Sequence, residues 1–224
     1  PTHFGGSSML NSVQLKNIEK NTGKTVKTMT NDFALRGIDV SEWQREINWQ
    51  KVAADGVEFV MIRATHGKKT DAYFERNIKG ALENNIAVGV YCFSYATTVD
   101  GVKADAEHFL RTIEPYQKDI LFPAAFDAEQ NSQYKLGRDK VTELILTFCK
   151  AVEEAGYVPV NYTNCNWLNN VIDKPKLADA GIDTWVSWPF TIKRWEDRPE
   201  DGVTKHDHTM WQFSCHGTVD GIVG

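Results

Sequence analysis

The chain lacks any apolar run near the roughly 18 residues that a membrane-spanning helix needs, so no membrane insertion is expected. It has no basic run and a net charge of −5, which argues against a nucleic-acid partner. No G-x-G-x-x-G or Walker loop follows an apolar run, which argues against nucleotide binding. The four cysteines, Cys92, Cys149, Cys165 and Cys215, have no C-x-x-C spacing, so a structural zinc site is not expected, and their spacing leaves disulfide pairing open. The N-terminus has no charged-then-apolar leader, as a mature or trimmed chain also would not.

What is present is enough for one sizeable core. The chain has 224 residues, 42% hydrophobic and 11% aromatic, and the expectation is a single globular domain over 34–224. Residues 1–33 differ in character. Gly5-Gly-Ser-Ser8 opens a stretch rich in Lys, Asn and Thr, read as an arm or linker with a weak helix around Val13–Glu19.

From Leu35 short β-like runs alternate with helical patterns. Strands are expected at Leu35–Val40, Val57–Ala64, Ile86–Tyr95, Ile120–Ala128 and Val158–Tyr162. Helices are expected at Trp49–Ala54, Phe74–Asn84, Val102–Ile113 and Arg138–Ala155, with core stripes such as Val102, Ala106, Phe109 and Ile113. Such alternation predicts parallel strands joined by helical crossovers. After Tyr162 the pattern weakens to strands at Thr184–Trp188 and His208–Phe213 around a charged stretch. The fold class is therefore α/β, a single TIM-like barrel of about eight strands incompletely wrapped by helices.

Within this rhythm, Phe122-Pro-Ala-Ala-Phe-Asp-Ala-Glu-Gln-Asn131 places two acids one residue apart. Strand side chains alternate, so Asp127 and Glu129 share a face, with Cα atoms roughly 6–7 Å apart. Carboxylates that close raise at least one pKa, which supplies an acid and a base for one bond. In a parallel barrel the chemistry gathers at the strands' C-terminal ends. Those ends carry Asp39, Arg63, Tyr91 with Phe93, Asp127 with Glu129, Tyr162, Trp185 and Gln212. Acids with aromatic faces suit a sugar site. Each has a plainer reading: Asp39 as a strand-end cap, Arg63 as an ion-pair partner of an acid, and Tyr91, Phe93 and Trp185 as core. A metal centre on His206, Asp207, His208 and His216 is disfavoured because they lie in a charged, poorly patterned stretch. Neither metal nor cofactor is expected. A chitinase-like D-x-x-D-x-D-x-E barrel is also disfavoured, because Ala125 stands at the preceding acidic position.

Gly37-Ile-Asp-Val-Ser-Glu-Trp-Gln44 resembles the opening strand of glycoside hydrolase family 25, the N-acetylmuramidase type of lysozyme. The resemblance continues in order through Val60-Met-Ile-Arg-Ala-Thr65, Phe74 with Asn77, Gly89-Val-Tyr-Cys-Phe-Ser-Tyr95, Phe126-Asp-Ala-Glu129, Gly156–Asn164, Trp185-Val-Ser187, Trp211-Gln-Phe-Ser214 and Gly221-Ile-Val-Gly224. It implies a barrel of eight strands with fewer than eight helices, (β/α)5(β)3. It also implies cleavage of the β-1,4 bond between N-acetylmuramic acid and N-acetylglucosamine, with retention of configuration. Glu129 matches the family's catalytic glutamate, Asp127 its paired aspartate and Asp39 its first-strand aspartate. The family's acetamido-assisted route and a covalent Asp127 intermediate both stay open. Glycan strands of peptidoglycan are the implied partner, with the chain acting as a monomer outside the cell or at its wall. Three positions depart from the family. Its further aspartate, in V-D-x-N after Gly-Ile-x-Gly, would fall beyond Gly224, and Asp220 is not equated with it. Cys92 stands where many relatives have histidine, and Trp188-Pro189 where they have a tyrosine, both expected to alter groove contacts. Either the sequence stops short of that acid or the acid is absent, and the second case keeps a non-catalytic wall-binding barrel as the alternative.

Overall fold

A computed structural model describes residues 6–8, 35–190, 193–197 and 209–223. The helix expected at Val13–Glu19 and residues His206, Asp207 and His208 lie outside the described residues.

Among the described residues, eight strands pair in a ring. They are β1 (Gly6–Ser8), β2 (Leu35–Val40), β3 (Phe59–His66), β5 (Ala87–Phe93), β6 (Ile120–Asp127), β7 (Pro159–Asn164), β8 (Asp183–Phe190) and β9 (Met210–Ser214). A two-residue strand, β4 (Lys69–Thr70), folds back on β3. Apart from β4, the seven strands from β2 to β9 run parallel where they pair, and β1 runs antiparallel to both β2 and β9. Gly6–Ser8 thus closes the ring, although the sequence places it in the arm; three Gly and Ser residues carry no periodicity from which a strand is read.

Helices α1 (Trp49–Ala54), α2 (Phe74–Glu83), α3 (Val99–Ile113) and α5 (Arg138–Glu154) fill the crossovers. Three further short ones, α4 (Asn131–Tyr134), α6 (Cys165–Asn170) and α7 (Lys174–Asp179), follow β6 and β7. Their starts follow capping chemistry: the Asn48, Thr98, Asn164 and Asp173 side chains each accept a first-turn N–H. Buried positions on α2, Phe74, Asn77, Ile78 and Ala81, recur at one helical face.

Strand alternation divides the core into layers. Val60, Ile62 and Ala64 of β3 face outward into the layer between barrel and helices. There Phe148 of α5 packs against Phe109 of α3 (5.2 Å between ring centres) and Phe126 of β6 (4.9 Å). Truncating a buried phenylalanine of this kind typically costs about 3–5 kcal/mol. The inward residues Phe59, Met61, Phe122, Ala125, Val160 and Met210 fill the barrel's lower half. Phe59 and Phe122 stack at 4.7 Å. They fit because the wall beside them is glycine: a methyl at Gly37 would overlap the Phe59 ring, and one at Gly89 would overlap Met61, Phe122 and the Pro123 carbonyl. Pro123 sits opposite Gly89 where the β5–β6 register shifts, an irregularity that accommodates its missing N–H.

The last strands are covered differently. Val186, Trp211 and Phe213 turn outward onto Leu168 of α6, Trp188 and Trp195. No long helix follows β8 among the described residues. This is why helical periodicity fades after Tyr162 in the sequence, and why the barrel is incompletely wrapped.

Candidate active site

Counting alternate positions along each strand brings one layer to the C-terminal mouth, above the apolar filling. Tyr91, Tyr162 and Trp185 belong to the inward cluster. Asp39, Arg63, Asp127 and Gln212 each stand two residues past an inward position of their own strand. Cross-strand pairing sets Arg63 beside Tyr91, Phe93 beside Asp127, Asp127 beside Tyr162, and Tyr162 beside Trp185. Rings interlock across this layer: Tyr162–Trp185 at 4.4 Å and Tyr91–Trp185 at 6.1 Å, both edge-on.

Asp127 ends β6 and is only 4% exposed. The chain stays tied to β7 for one more residue, through the Ala128 N–H to the Tyr162 carbonyl and the Thr163 hydroxyl to the Ala128 carbonyl. Glu129 comes next, half-buried and nearer the solvent. Burial pushes the Asp127 carboxyl well above the usual carboxylate range, and the Glu129 and Asp39 charges push it further, against the opposing pull of Arg63. Its Oδ1 is buried with no hydrogen-bond partner among the described residues, as is the Trp185 indole N–H.

Three residues link β7, β9 and β2 across the mouth. The Tyr162 hydroxyl donates to Gln212 Oε1 at 2.9 Å, and Gln212 Nε2 donates to Asp39 Oδ2 at 2.9 Å. Burial, then the nearby acids, push the Tyr162 and Tyr91 phenols well above their ordinary range, Arg63 opposing at Tyr91, so both stay neutral. Arg63 is held by two acids: its Nε donates to Asp71 at 2.7 Å and its Nη2 to Glu42 at 2.8 Å. Asp71 also accepts the backbone N–H groups of Glu42 (3.0 Å) and Tyr73 (2.9 Å), which ties the turn after β2 to the start of α2.

Two groove expectations are corrected. Cys92 is fully buried on the outward face, in the layer beneath the helices, because it sits one position from inward-facing Tyr91. Trp188 packs against the outer cluster of β8 and β9 and not in the mouth. Asp220 donates its N–H to Asp55, the partner of Arg36 at the foot of β2, far along the barrel from the acids. Two residues at the mouth escape sequence reasoning. A bulge between Arg63 and Thr65 pairs Thr65 with outward Cys92 and brings His66 beside Phe93. The second, Asp71, shows its importance only through the partners that folding brings to it.

The layer is a mouth lined by acids and aromatic rings, with a closely spaced carboxyl pair at its rim, suited to acid–base chemistry on a sugar link. Residues 38–222 match the family described as Glycosyl hydrolases family 25. The chain is 32% identical over 200 residues to the uncharacterized protein YegX of Escherichia coli, covering 86% of this chain and 67% of YegX. It is 28% identical over 198 residues to Lysozyme M1 of Streptomyces globisporus, covering 85% and 65%. It thus spans about two thirds of the length of these relatives. The crystal structure of the bacterial lysozyme from Streptomyces coelicolor superposes with a TM-score of 0.63 at 25% identity, over 87% of this chain and 90% of that one. A family match that spans residues 38–222, most of the barrel, places the chain in glycoside hydrolase family 25.

Proposed function

We propose that this chain is a muramidase that hydrolyses the β-1,4 bond between N-acetylmuramic acid and N-acetylglucosamine in peptidoglycan, with retention of configuration. The observation that carries the reading is the pairing of a buried Asp127, its Oδ1 without a partner, with a more exposed Glu129 two residues on. An unsatisfied buried acceptor in a native site calls for a donor from elsewhere. A sugar's acetamido N–H is such a donor.

Asp127 and Glu129 titrate as a pair. In the empty site the proton is favoured on Asp127, whose charge is the more costly to bury. An N–H donated to Asp127 Oδ1 stabilises its carboxylate, so substrate binding favours relocation of the proton to Glu129. Glu129 then protonates the glycosidic oxygen as the anomeric C–O bond breaks. The acetamido carbonyl oxygen, aligned by Asp127, bonds to the anomeric carbon, and Asp127 offsets the positive charge that forms. Water attacks the same carbon, opening that ring and returning its proton to Glu129. The Tyr162–Gln212 pair holds Asp39 in place at the mouth. Arg63, engaged by Asp71 and Glu42, acts as a fixed positive wall that limits repulsion among the acids. Phe93, part-exposed beside Asp127, offers a ring to the sugar, while the buried Tyr91 and Trp185 pack the floor beneath it. Action on this polymer places the enzyme outside the cell or at its wall.

Digestion of purified peptidoglycan with mass spectrometry of the products tests the reading. Fragments with reducing-end N-acetylmuramic acid are expected. Reducing-end N-acetylglucosamine or free peptide stems would overturn it, and tight retention on the wall without cleavage would favour a binding barrel.

A further inference from the structure

Among the described residues, three aromatic side chains stand out into solvent: Trp43 (64% exposed), Tyr95 (54%) and Tyr134 (37%). All three lie on segments that leave the C-terminal mouth, Trp43 after β2, Tyr95 after β5 and Tyr134 after β6. The outer helix faces instead carry ion pairs, such as Glu75–Lys79 on α2, Glu107–Arg111 on α3 and Lys140–Glu143 on α5. Single exposed apolar residues are ordinary. Their confinement to the mouth is not, and neither is the way they are held.

Gln133, buried on α4, donates its Nε2 to the carbonyls of both Ser94 (3.2 Å) and Ala96 (3.0 Å), bracketing Tyr95. The Ser94 hydroxyl donates to buried Asp105 at 2.8 Å and accepts the Ala96 N–H at 3.1 Å. The Tyr95 ring is braced edge-on by Phe93 (5.1 Å) and His66 (6.5 Å). Tyr134, adjacent in sequence to Gln133, is braced edge-on by Trp167 at 5.4 Å. Trp43 rides a turn closed by the Ser41 N–H to Gln44 Oε1 (2.7 Å) and anchored at Glu42 by Arg63 and Asp71. Buried polar side chains therefore fix the backbone beneath rings that leave their own faces in water. That arrangement preorganises flat apolar surfaces, which match the C–H face of a pyranose ring.

We propose that Tyr95 and Tyr134, with Trp43 further round the mouth, are stacking platforms for sugar rings flanking the scissile bond, so that the site engages several residues of the glycan strand at once. This rests on the muramidase reading and specifies the length of strand it binds.

The test uses the full chain and its Trp43→Ala, Tyr95→Ala, Tyr134→Ala, Tyr95→Phe and Tyr134→Phe variants, each checked for native circular dichroism. The ratio of kcat/KM on long glycan strands to that on the shortest cleaved fragment should fall by roughly 2–10-fold in each alanine variant, carried by KM. The phenylalanine variants should keep the wild-type ratio. In a Glu129→Gln background, retention on isolated sacculi should weaken by a similar factor in the alanine variants. An unchanged ratio and unchanged retention in all three alanine variants would overturn the platform. Equal losses in the phenylalanine and alanine variants would too, since the ring and not the hydroxyl is proposed to act. If wild type releases no reducing-end N-acetylmuramic acid, the muramidase reading fails separately, and sacculus retention still decides the platform.

Discussion

Gln212 donates to Asp39 at 2.9 Å while its own carbonyl is held by the Tyr162 hydroxyl, so its amide helps orient an acid two strands away around the barrel. Replacing Gln212 by Glu exchanges that donor for a negative charge facing Asp39. We expect kcat to fall by about tenfold or more, equivalent to roughly 1.4 kcal/mol of transition-state stabilisation. Tyr162→Phe removes the hydroxyl's bonds to Gln212 and Ser187 without adding a charge, and should cost less, with about 0.5–1.5 kcal/mol lost from stability per bond. Steady-state kinetics beside denaturant melts check both. A Gln212→Glu enzyme with wild-type kcat would show that Asp39 needs no such orientation.

The acid pair makes a sharper prediction. Glu129→Gln cannot protonate the leaving oxygen, and kcat should drop by roughly 10²–10⁴-fold while binding to sacculi survives. A substrate with an activated leaving group should restore much of that loss. Asp127→Asn should lose activity on both kinds of substrate, because its role at the anomeric centre does not depend on the leaving group. The reverse pattern of recovery would exchange the two roles.

Asp127 should also trade stability for function. Its folded-state pKa is raised, so between the unfolded value, near 3.9, and the raised one, the native state holds a proton that the unfolded chain has released. Stability contributed by this group therefore falls as pH climbs through that window. Asp127→Asn should melt higher than wild type at neutral pH, by about 2–4 °C for each kcal/mol relieved. The difference should shrink as pH falls through about 3.9 and vanish below about pH 3, where Asp127 is protonated in both states. Calorimetric melts across that range decide it, and an equal or lower melting temperature for Asp127→Asn at pH 7 would contradict the assignment.

Much of this geometry is legible in the sequence because strand parity is a local property. The bounds of Leu35–Val40 and Trp49–Ala54 follow from apolar spacing alone. Parity in turn carries Asp39, Arg63, Tyr91, Asp127, Tyr162, Trp185 and Gln212 to one mouth. Parity fails where pairing is irregular: the bulge after Arg63 brings His66, and not Thr65, to the inner side. It also had to be applied to Cys92, whose neighbour Tyr91 faces the groove while Cys92 does not. Asp71 was illegible for another reason. Its partners Glu42 and Arg63 lie on other elements, and a lone acid before a helix gives no sign that it will join them.

The N-terminal boundary is the least local feature of all. We propose that the barrel needs part of the segment read as an arm, since Gly6–Ser8 supplies hydrogen bonds to both β2 and β9. A chain beginning at Asp32 would leave both strands with bare edges, which favours aggregation. We expect its melting temperature to fall by more than a few degrees, measured beside the full chain. A matching melt would mean that the ring tolerates a gap there.

A ring sealed by its first strand has a consequence for the order of assembly. β1 meets Gly37 on one side and Gln212 on the other, so the last seam joins segments from opposite ends of the chain. Contacts of such long reach form late and slowly. The Asp39–Gln212 bond spans the same seam. During refolding, the helical far-ultraviolet signal should therefore return before hydrolytic activity does, because the catalytic mouth comes into register only when the two ends of the polypeptide have found each other.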